Sequence, residues 1–239
     1  MSGHSKWATI KRAKGITDAK RGQAFTKLSN ALTIAVKQGG GNTDPNFNAS
    51  LRIAIDKAKA ANMPKDGIER AIMKGSGAGG GSELFEVLYE GFAHGGVGLL
   101  VEAVTDKKQR TVAEVKSTLE KNGATMAGQG AVSYLFQRVG EIIITTKGNV
   151  DEILTIAMDC NITDYEEVDN VIVLYTDPTN LSTSKKHLEE AGLNIDDAGL
   201  IYRPNSTMSV DDATSEKILS LIEKLEDMDD VQKVYTNLL

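Results

Sequence analysis

Two hydrophobic rhythms divide this chain. Up to about residue 75 apolar side chains recur at three- and four-residue spacing; from about residue 85 they alternate or run together in short blocks. The first rhythm predicts helices. Asp18–Gln38 places Phe25, Leu28, Leu32, Ala35 and Val36 on one face, and Gly39-Gly40-Gly41 ends it. Asn48–Asn62 repeats the stripe with Leu51, Ala54, Ile55 and Ala58. Asn62-Met63-Pro64 then supplies a break and a restart, with Pro64 near the first helical position and Asp66 in the first turn. Ile68, Ala71 and Ile72 form a short third stripe that ends at Gly75. A compact helical domain is the economical reading.

The second rhythm predicts strands near Glu86–Phe92, Gly98–Thr105, Ala131–Gln137, Glu141–Thr146, Asn170–Tyr175, Ala198–Tyr202 and Val231–Tyr235. Helices fit Gln109–Asn122, Val150–Cys160, Leu181–Ala191 and Asp212–Glu226. Short strands with a few helices, without strict βαβ repetition, argue for α+β units of ferredoxin-like type, and the length suffices for two. The expected fold class is therefore multidomain α and α+β: an N-terminal helical domain followed by two ferredoxin-like α+β domains. Between the rhythms lies Gly75-Ser76-Gly77-Ala78-Gly79-Gly80-Gly81-Ser82. Gly75, Gly77 and Gly80 satisfy G-x-G-x-x-G, but a helix precedes and a strand follows, whereas a dinucleotide loop needs strand then helix. Residues 75–82 read as a flexible linker.

Composition removes several classes of function. The single cysteine, Cys160, rules out an intramolecular disulfide framework and agrees with a reducing compartment. No apolar run approaches the ~20 residues that cross a bilayer. The histidines His4, His94 and His187 are far apart, and none has a partner at metal-ligand spacing. No H-E-x-x-H, C-x-x-C, Walker or G-x-S-x-G motif occurs. Glu226-Asp227-Met228-Asp229-Asp230 lacks the glycine and closing glutamate of an EF-hand loop and reads as a solvated turn. The expectation is a non-enzyme with no catalytic residues, no metal and no cofactor.

Charge changes the picture most. Residues 1–74 hold fourteen Lys+Arg against five carboxylates, a net +9; the whole chain is −6, so residues 75–239 carry −15. Such asymmetry points to a polyanion-binding region on an otherwise acidic body. The bias peaks in Ser2–Thr17, where Lys6, Lys11, Arg12 and Lys14 meet no acid and Trp7 is the only tryptophan. Cations near phosphates gain affinity by releasing condensed counterions. Trp7 has two readings, stacking on an unpaired base or anchoring the arm to the first helix. Lys20 and Lys27 align within ~20° on an ideal helix and extend the arm's field. Arg52 and Lys59 also align, but Asp56 lies between them, which favours local pairing. Lys65, beside the Pro64 break, is expected to be exposed. A second patch, Lys107, Lys108 and Arg110 behind Asp106 as an N-cap, suits a phosphate at a helix start; an ordinary capped loop is the competing reading.

The chain contains Gly3-His4-Ser5-Lys6-Trp7, Asp18-Ala19-Lys20-Arg21-Gly22, Phe25-Thr26-Lys27-Leu28, Gly39-Gly40-Gly41, Ala58 through Asp66, and Ile68-Glu69-Arg70-Ala71-Ile72. Further on come Tyr89-Glu90-Gly91, Arg110 through Val115, Leu225-Glu226-Asp227 and Asp229-Asp230-Val231-Gln232. In this order these segments closely resemble the YebC family. One departure is Ala49, where the family often has proline, and it bears only on where the second helix starts. The resemblance implies three domains: residues 1–74; residues 83–133 with 203–239; and an inserted domain at 134–202. It also implies a regulator of gene expression. Members are usually designated DNA-binding transcriptional regulators, a mitochondrial relative is a translational activator of cytochrome oxidase, and some bacterial members resemble ribosome-associated factors that relieve stalls at proline-rich stretches. A match from residue 2 leaves no room for a cleavable presequence, so the expected location is the bacterial cytoplasm.

The candidate nucleic-acid-binding set is His4, Lys6, Trp7, Lys11, Arg12, Lys14, Lys20, Arg21, Lys27 and Lys65, with Lys107, Lys108 and Arg110 as a secondary patch. A sequence-specific DNA reader would want Arg, Asn or Gln directed at base edges, and these helices offer mostly Ala, Lys and short polar residues. A Lys-rich arm with one aromatic suits RNA shape and single-stranded pockets better, so ribosomal or transfer RNA is the physically favoured partner. The acidic region would repel phosphates and is better suited to a protein partner or to spacing.

Overall fold

The computed structural model describes residues 18–80, 82–146 and 150–239, with side chains from Gly22 onward. Three helices open the described chain: α1 (Asp18–Gln38), α2 (Ala49–Ala60) and α3 (Lys65–Gly75). Their apolar stripes meet in one cluster, with Leu32, Ala35 and Val36 of α1, Leu51 and Ala58 of α2, and Ile68 and Ala71 of α3 all buried. Complete burial of a leucine such as Leu32 or Leu51 contributes roughly 2 kcal/mol.

The joint between α1 and α2 is built from one buried side chain. The Nδ2 of Asn48 donates to the carbonyls of Ala35 (3.0 Å) and Asn42 (3.1 Å), while its Oδ1 accepts the Leu51 amide at 3.0 Å as the N-cap of α2. Gly39 makes room for it, since a Cβ there would lie 2.2 Å from Nδ2. With Asn48 as cap, α2 begins at Ala49. Gly75 lies where α3 crosses α1, and a Cβ would sit 2.6 Å from the Thr33 carbonyl oxygen and 2.7 Å from Val36 Cβ. The start of the glycine-rich run closes the end of α3: the Gly79 amide and the Ser76 hydroxyl both donate to the Met73 carbonyl.

A first sheet follows. Its strands are β1 (Phe85–Phe92), β2 (Gly98–Thr105), β3 (Thr125–Ala127) and β8 (Val231–Thr236), in the order β3-β1-β2-β8. β1 and β2 form a hairpin pairing Phe85 with Thr105 through to Phe92 with Gly98. Helices α4 (Lys108–Lys121) and α7 (Asp212–Glu226) cover one face, with Val115, Leu119, Ile218, Leu221 and Leu225 on Leu99, Val101 and Ala103. Ile34 of α1 packs against Leu84 and Val104, and Lys37 bridges to Glu83 and to the Leu84 carbonyl.

The second sheet is built from β4 (Phe136–Thr145), α5 (Val150–Met158), β5 (Ile162–Val168), β6 (Val171–Thr176), α6 (Leu181–Glu190) and β7 (Asp197–Pro204). Its strand order is β5-β6-β4-β7, which with this succession of elements is the ferredoxin-like arrangement. The first sheet has the same spatial layout with a different connection, because β1 runs by a hairpin directly into β2. By its contacts the described chain forms two compact units, one comprising the residues up to Phe136 with Pro204–Leu239, the other Gln137–Arg203.

The strand expected at Ala131–Gln137 is instead a 3-10 turn at Ser133–Leu135 leading into β4. Two strands lack a clear sequence signal. β3 has three residues, and β5 reads Ile-Thr-Asp-Tyr-Glu-Glu-Val, whose three carboxylates mask its alternation. Among the described residues, no helix is long and apolar enough to cross a membrane.

Candidate nucleic-acid interface

Helices α2 and α3 are joined by a four-residue turn, Ala61-Asn62-Met63-Pro64, with Asn62 in the left-handed region at φ 57°. Burial of Ile68 and Ala71 turns Lys65, Asp66, Glu69, Arg70 and Met73 of α3 to solvent. Lys65 is 88% exposed in its side chain and lies 3.5 Å from Glu69 one turn on, and the Arg70 Nε donates to the Asp66 carbonyl at 3.1 Å. Lys59 is also exposed. The helical region therefore displays cations at its surface, where an ion pair such as Lys65–Glu69 contributes well under about 1 kcal/mol to the fold.

The other predicted cations divide by placement. His4, Lys6, Trp7, Lys11, Arg12 and Lys14 lie outside the described residues. Lys20 and Arg21 fall in the first turn of α1. Lys27 is half-buried, and its ammonium donates to the Glu226 carbonyl at the end of α7, while Gln23 does the same to the Asp227 carbonyl. Lysine at a helix C-terminus also meets the negative end of the helix dipole.

In the second patch Lys107, Lys108 and Arg110 are all exposed, and the structure corrects the expected cap. Helix α4 begins at Lys108 with Lys107 at the cap position, and it is the Thr105 hydroxyl, not Asp106, that accepts the Lys107 amide at 3.0 Å. Asp106 instead accepts Ser82 (3.1 Å) and Arg110 (3.3 Å). Arg110 donates to Asp230 at 2.7 Å, and Asp230 also accepts Thr111 (2.6 Å) and Thr105 (3.1 Å). Burial works to raise the Asp230 carboxyl, but the bonds from Thr111, Arg110 and Thr105 outweigh it and hold it below the usual carboxylate range. Lys108 sits over the Phe85 ring, 4.4 Å from its centroid.

Two charged groups inside the folded units escaped the sequence reading. Glu90 is 4% exposed and accepts the amides of Gly130 (2.7 Å), Val132 (2.6 Å) and Ser133 (2.8 Å), pinning the loop before β4. Burial pushes its carboxyl up, and the three amides more than compensate, leaving it below its ordinary value. The available signal was a carboxylate set between strand residues in Tyr89-Glu90-Gly91. In the second unit Arg203 donates to Asp164 (2.6 Å) and Glu166 (2.9 Å) and stacks on Tyr175, 3.9 Å from the ring centroid. This cluster lies on the face where Val139, Val173 and Tyr175 gather. In RNA-recognition modules of this sheet type, the corresponding face offers aromatics to bases. Here the tyrosine is buried under an arginine with carboxylates around it, an arrangement that holds strands together. Among the described residues, no group of three or more His, Cys, Asp or Glu is placed to hold a metal ion.

Two family models match this chain. The TACO1/YebC protein N-terminal domain matches residues 5–78, and the TACO1/YebC second and third domain matches residues 84–238. The chain belongs to the TACO1/YebC family. Relatives within this family include a "Probable transcriptional regulatory protein" of Roseiflexus castenholzii, 46% identical over all of this chain and 95% of that protein. Another of the same name, from Herpetosiphon aurantiacus, is 45% identical over 100% of this chain and 94% of its own length. A solved structure of a conserved hypothetical protein from Aquifex aeolicus superposes with TM-score 0.86 at 40% identity, covering 93% of this chain and 91% of that one.

Proposed function

We propose that this TACO1/YebC-family protein is a non-enzymatic, nucleic-acid-binding regulator of gene expression that works in the cytoplasm as a ribosome-associated translation factor. In this reading it contacts ribosomal or transfer RNA and relieves stalled synthesis, for example at proline-rich stretches. The observation that carries the reading is the charge division, +9 over residues 1–74 against −15 over the remainder. A cationic N-terminal region binds phosphates by counterion release, and an acidic body keeps the remainder off them. His4, Lys6, Trp7, Lys11, Arg12, Lys14, Lys20 and Arg21 form the proposed contact set, with Lys65 beside the α2–α3 turn. Lys27 serves there through its position on α1, and Lys107 and Lys108 form a weaker second site in which Arg110 orders the loop through Asp230.

The names of the relatives favour a second reading, a DNA-binding transcriptional regulator. The α2–turn–α3 pair has the connection length of a helix-turn-helix. Against it, the exposed positions of α3 alternate Lys65 and Arg70 with Asp66 and Glu69, and a carboxylate facing the groove repels the backbone that a recognition helix must approach.

Sedimentation of cell extract separates the two. The intact protein is expected to travel with ribosomes in low salt, and a Lys6/Lys11/Arg12/Lys14→Ala variant to remain at the top of the gradient. Failure of the intact protein to co-sediment, together with tight binding to one promoter fragment over random DNA, would establish the transcriptional reading instead.

A further inference from the structure

The second unit carries a surface that the nucleic-acid reading does not use. β5 is an edge strand: β6 pairs with one side, and among the described residues no strand pairs with the other. Its pairing with β6 shifts register between Ile162 and Asp164, then runs regularly to Val168. In that regular stretch side chains alternate between faces. Asp164 and Glu166 point to the face where Arg203 holds them. Tyr165 and Glu167, opposite Leu174 and Ile172, point to the other face. The helices lie on that side, as the contact of Ser184 on α6 with Thr176 shows.

The flank of this edge exposes apolar groups beside acids. Tyr165 is 49% exposed, and Met158, the last residue of α5, is 80% exposed. Only the turn Asp159-Cys160-Asn161 separates Met158 from the start of β5. Glu152 and Asp159 at the two ends of α5 are exposed, as are Glu167 and Asp169 at the far end of β5. Residues 137–203 as a whole hold thirteen carboxylates against five Lys+Arg.

We propose that β5 receives an extended, Lys/Arg-rich polypeptide segment as an added strand, with Tyr165 and Met158 against its apolar side chains and Glu152, Asp159 and Glu167 facing its cations. Three features select that occupant. The outer backbone groups of an edge strand offer main-chain hydrogen bonds that only another extended polypeptide completes in register, and at Tyr165 the added strand would replace the bond that its amide now donates to Asp164 Oδ1 at 2.9 Å. An aromatic and a methionine supply adaptable apolar contact of the kind that dominates small interfaces. The net negative charge of the unit attracts a basic segment and repels a nucleic acid. The proposal is independent of what the N-terminal region binds.

The test uses the full-length protein, isotope-labelled for amide spectroscopy, and a capped eight-residue peptide of alternating lysine and valine. Three comparison ligands are run: the same peptide N-methylated at alternate residues, a glutamate–valine version, and a short single-stranded RNA. The expected result is movement of the amides of residues 162–168 with the lysine–valine peptide, lost on N-methylation and absent with the acidic peptide. Tyr165→Ala and Glu167→Lys should each weaken binding about fivefold or more. Both positions are exposed, so unchanged amide dispersion elsewhere verifies folding, and the N-methylated comparison needs no variant at all. Equal binding of the N-methylated peptide would reduce the effect to diffuse charge attraction and overturn the proposal. So would shifts centred elsewhere, absence of binding, or occupation of β5 by the RNA.

Discussion

The helical region and the second α+β unit use charge in opposite ways. In α1–α3 the core is an apolar cluster whose buried polar groups, Thr33 and Asn48, are uncharged, and cations such as Lys59, Lys65 and Arg70 sit outside it. In residues 137–203 charged groups also do structural work: Arg203 reaches Asp164 and Glu166 across Tyr175. The first sheet follows the second pattern, with Glu90 holding a loop by three amides and Asp230 gathering Thr105, Arg110 and Thr111. The difference teaches where charge is available for a partner. A surface lysine whose removal costs the fold almost nothing is at the disposal of a ligand, whereas a carboxylate with three donors is already committed.

The sharpest way to break this comparison is to neutralise the cations thought to serve a ligand. Lys6/Lys11/Arg12/Lys14→Ala should lower affinity for RNA about a hundredfold at moderate salt and flatten the salt dependence by up to about four charges' worth. Titration by fluorescence anisotropy at several salt concentrations measures both, and unchanged affinity would remove the arm from the interface. Next in size, Arg203→Ala leaves Asp164 and Glu166 facing each other beside Tyr175. It should destabilise the second unit by about 2 kcal/mol in urea denaturation, with nucleic-acid affinity unaltered.

Asp230→Asn should cost about 1.5 kcal/mol at neutral pH, since a neutral amide is a poorer acceptor for Arg110 and the two threonines. Its pH dependence carries a sign. The folded Asp230 carboxyl titrates below its ordinary value. Its contribution is therefore complete above the unfolded pKa near 4 and is lost as pH falls through the folded pKa. The stability gap between wild type and Asp230→Asn should consequently narrow on acidification below about pH 4. A gap constant across that range would mean that Asp230 acts by shape alone. The smallest effect is expected at Lys65→Ala, within about 0.5 kcal/mol of wild type in stability, with a measurable loss only in nucleic-acid binding. A larger stability loss there would erase the contrast between the two regions.

Legibility in the sequence followed the range of the interactions involved. Asp18–Gln38, Gly98–Thr105 and Asp212–Glu226 form the elements that their patterns predict, because the helices carry apolar stripes at helical spacing and the strand is a short apolar run buried on both faces. β5 was hidden because Asp164, Glu166 and Glu167 are poor strand formers on their own, and two of them are accommodated by an arginine 39 and 37 residues away. The turn at Ser133–Leu135 has a strand-like sequence because what shapes it is remote: Glu90 accepts the amides of Val132 and Ser133 from 42 and 43 residues earlier. The candidate binding set was legible as charge. Which cations also tie elements together was not, since Lys27 meets the Glu226 carbonyl 199 residues away and Arg110 meets Asp230 at a separation of 120.

Taken alone, then, the sequence determined the helical and strand rhythms, the division of charge at residue 74 and the family. These rest on spacing, composition and residue identity, all of which are written within a few turns or in simple counts. Tertiary structure alone decided which charges are struts and which face solvent, where Asn48 and Glu90 lock their loops, and that an acidic segment completes a sheet as its edge. Those outcomes depend on partners brought together from distant parts of the chain, and the free energy of a charged or polar group is set by the partners that reach it once it is removed from water.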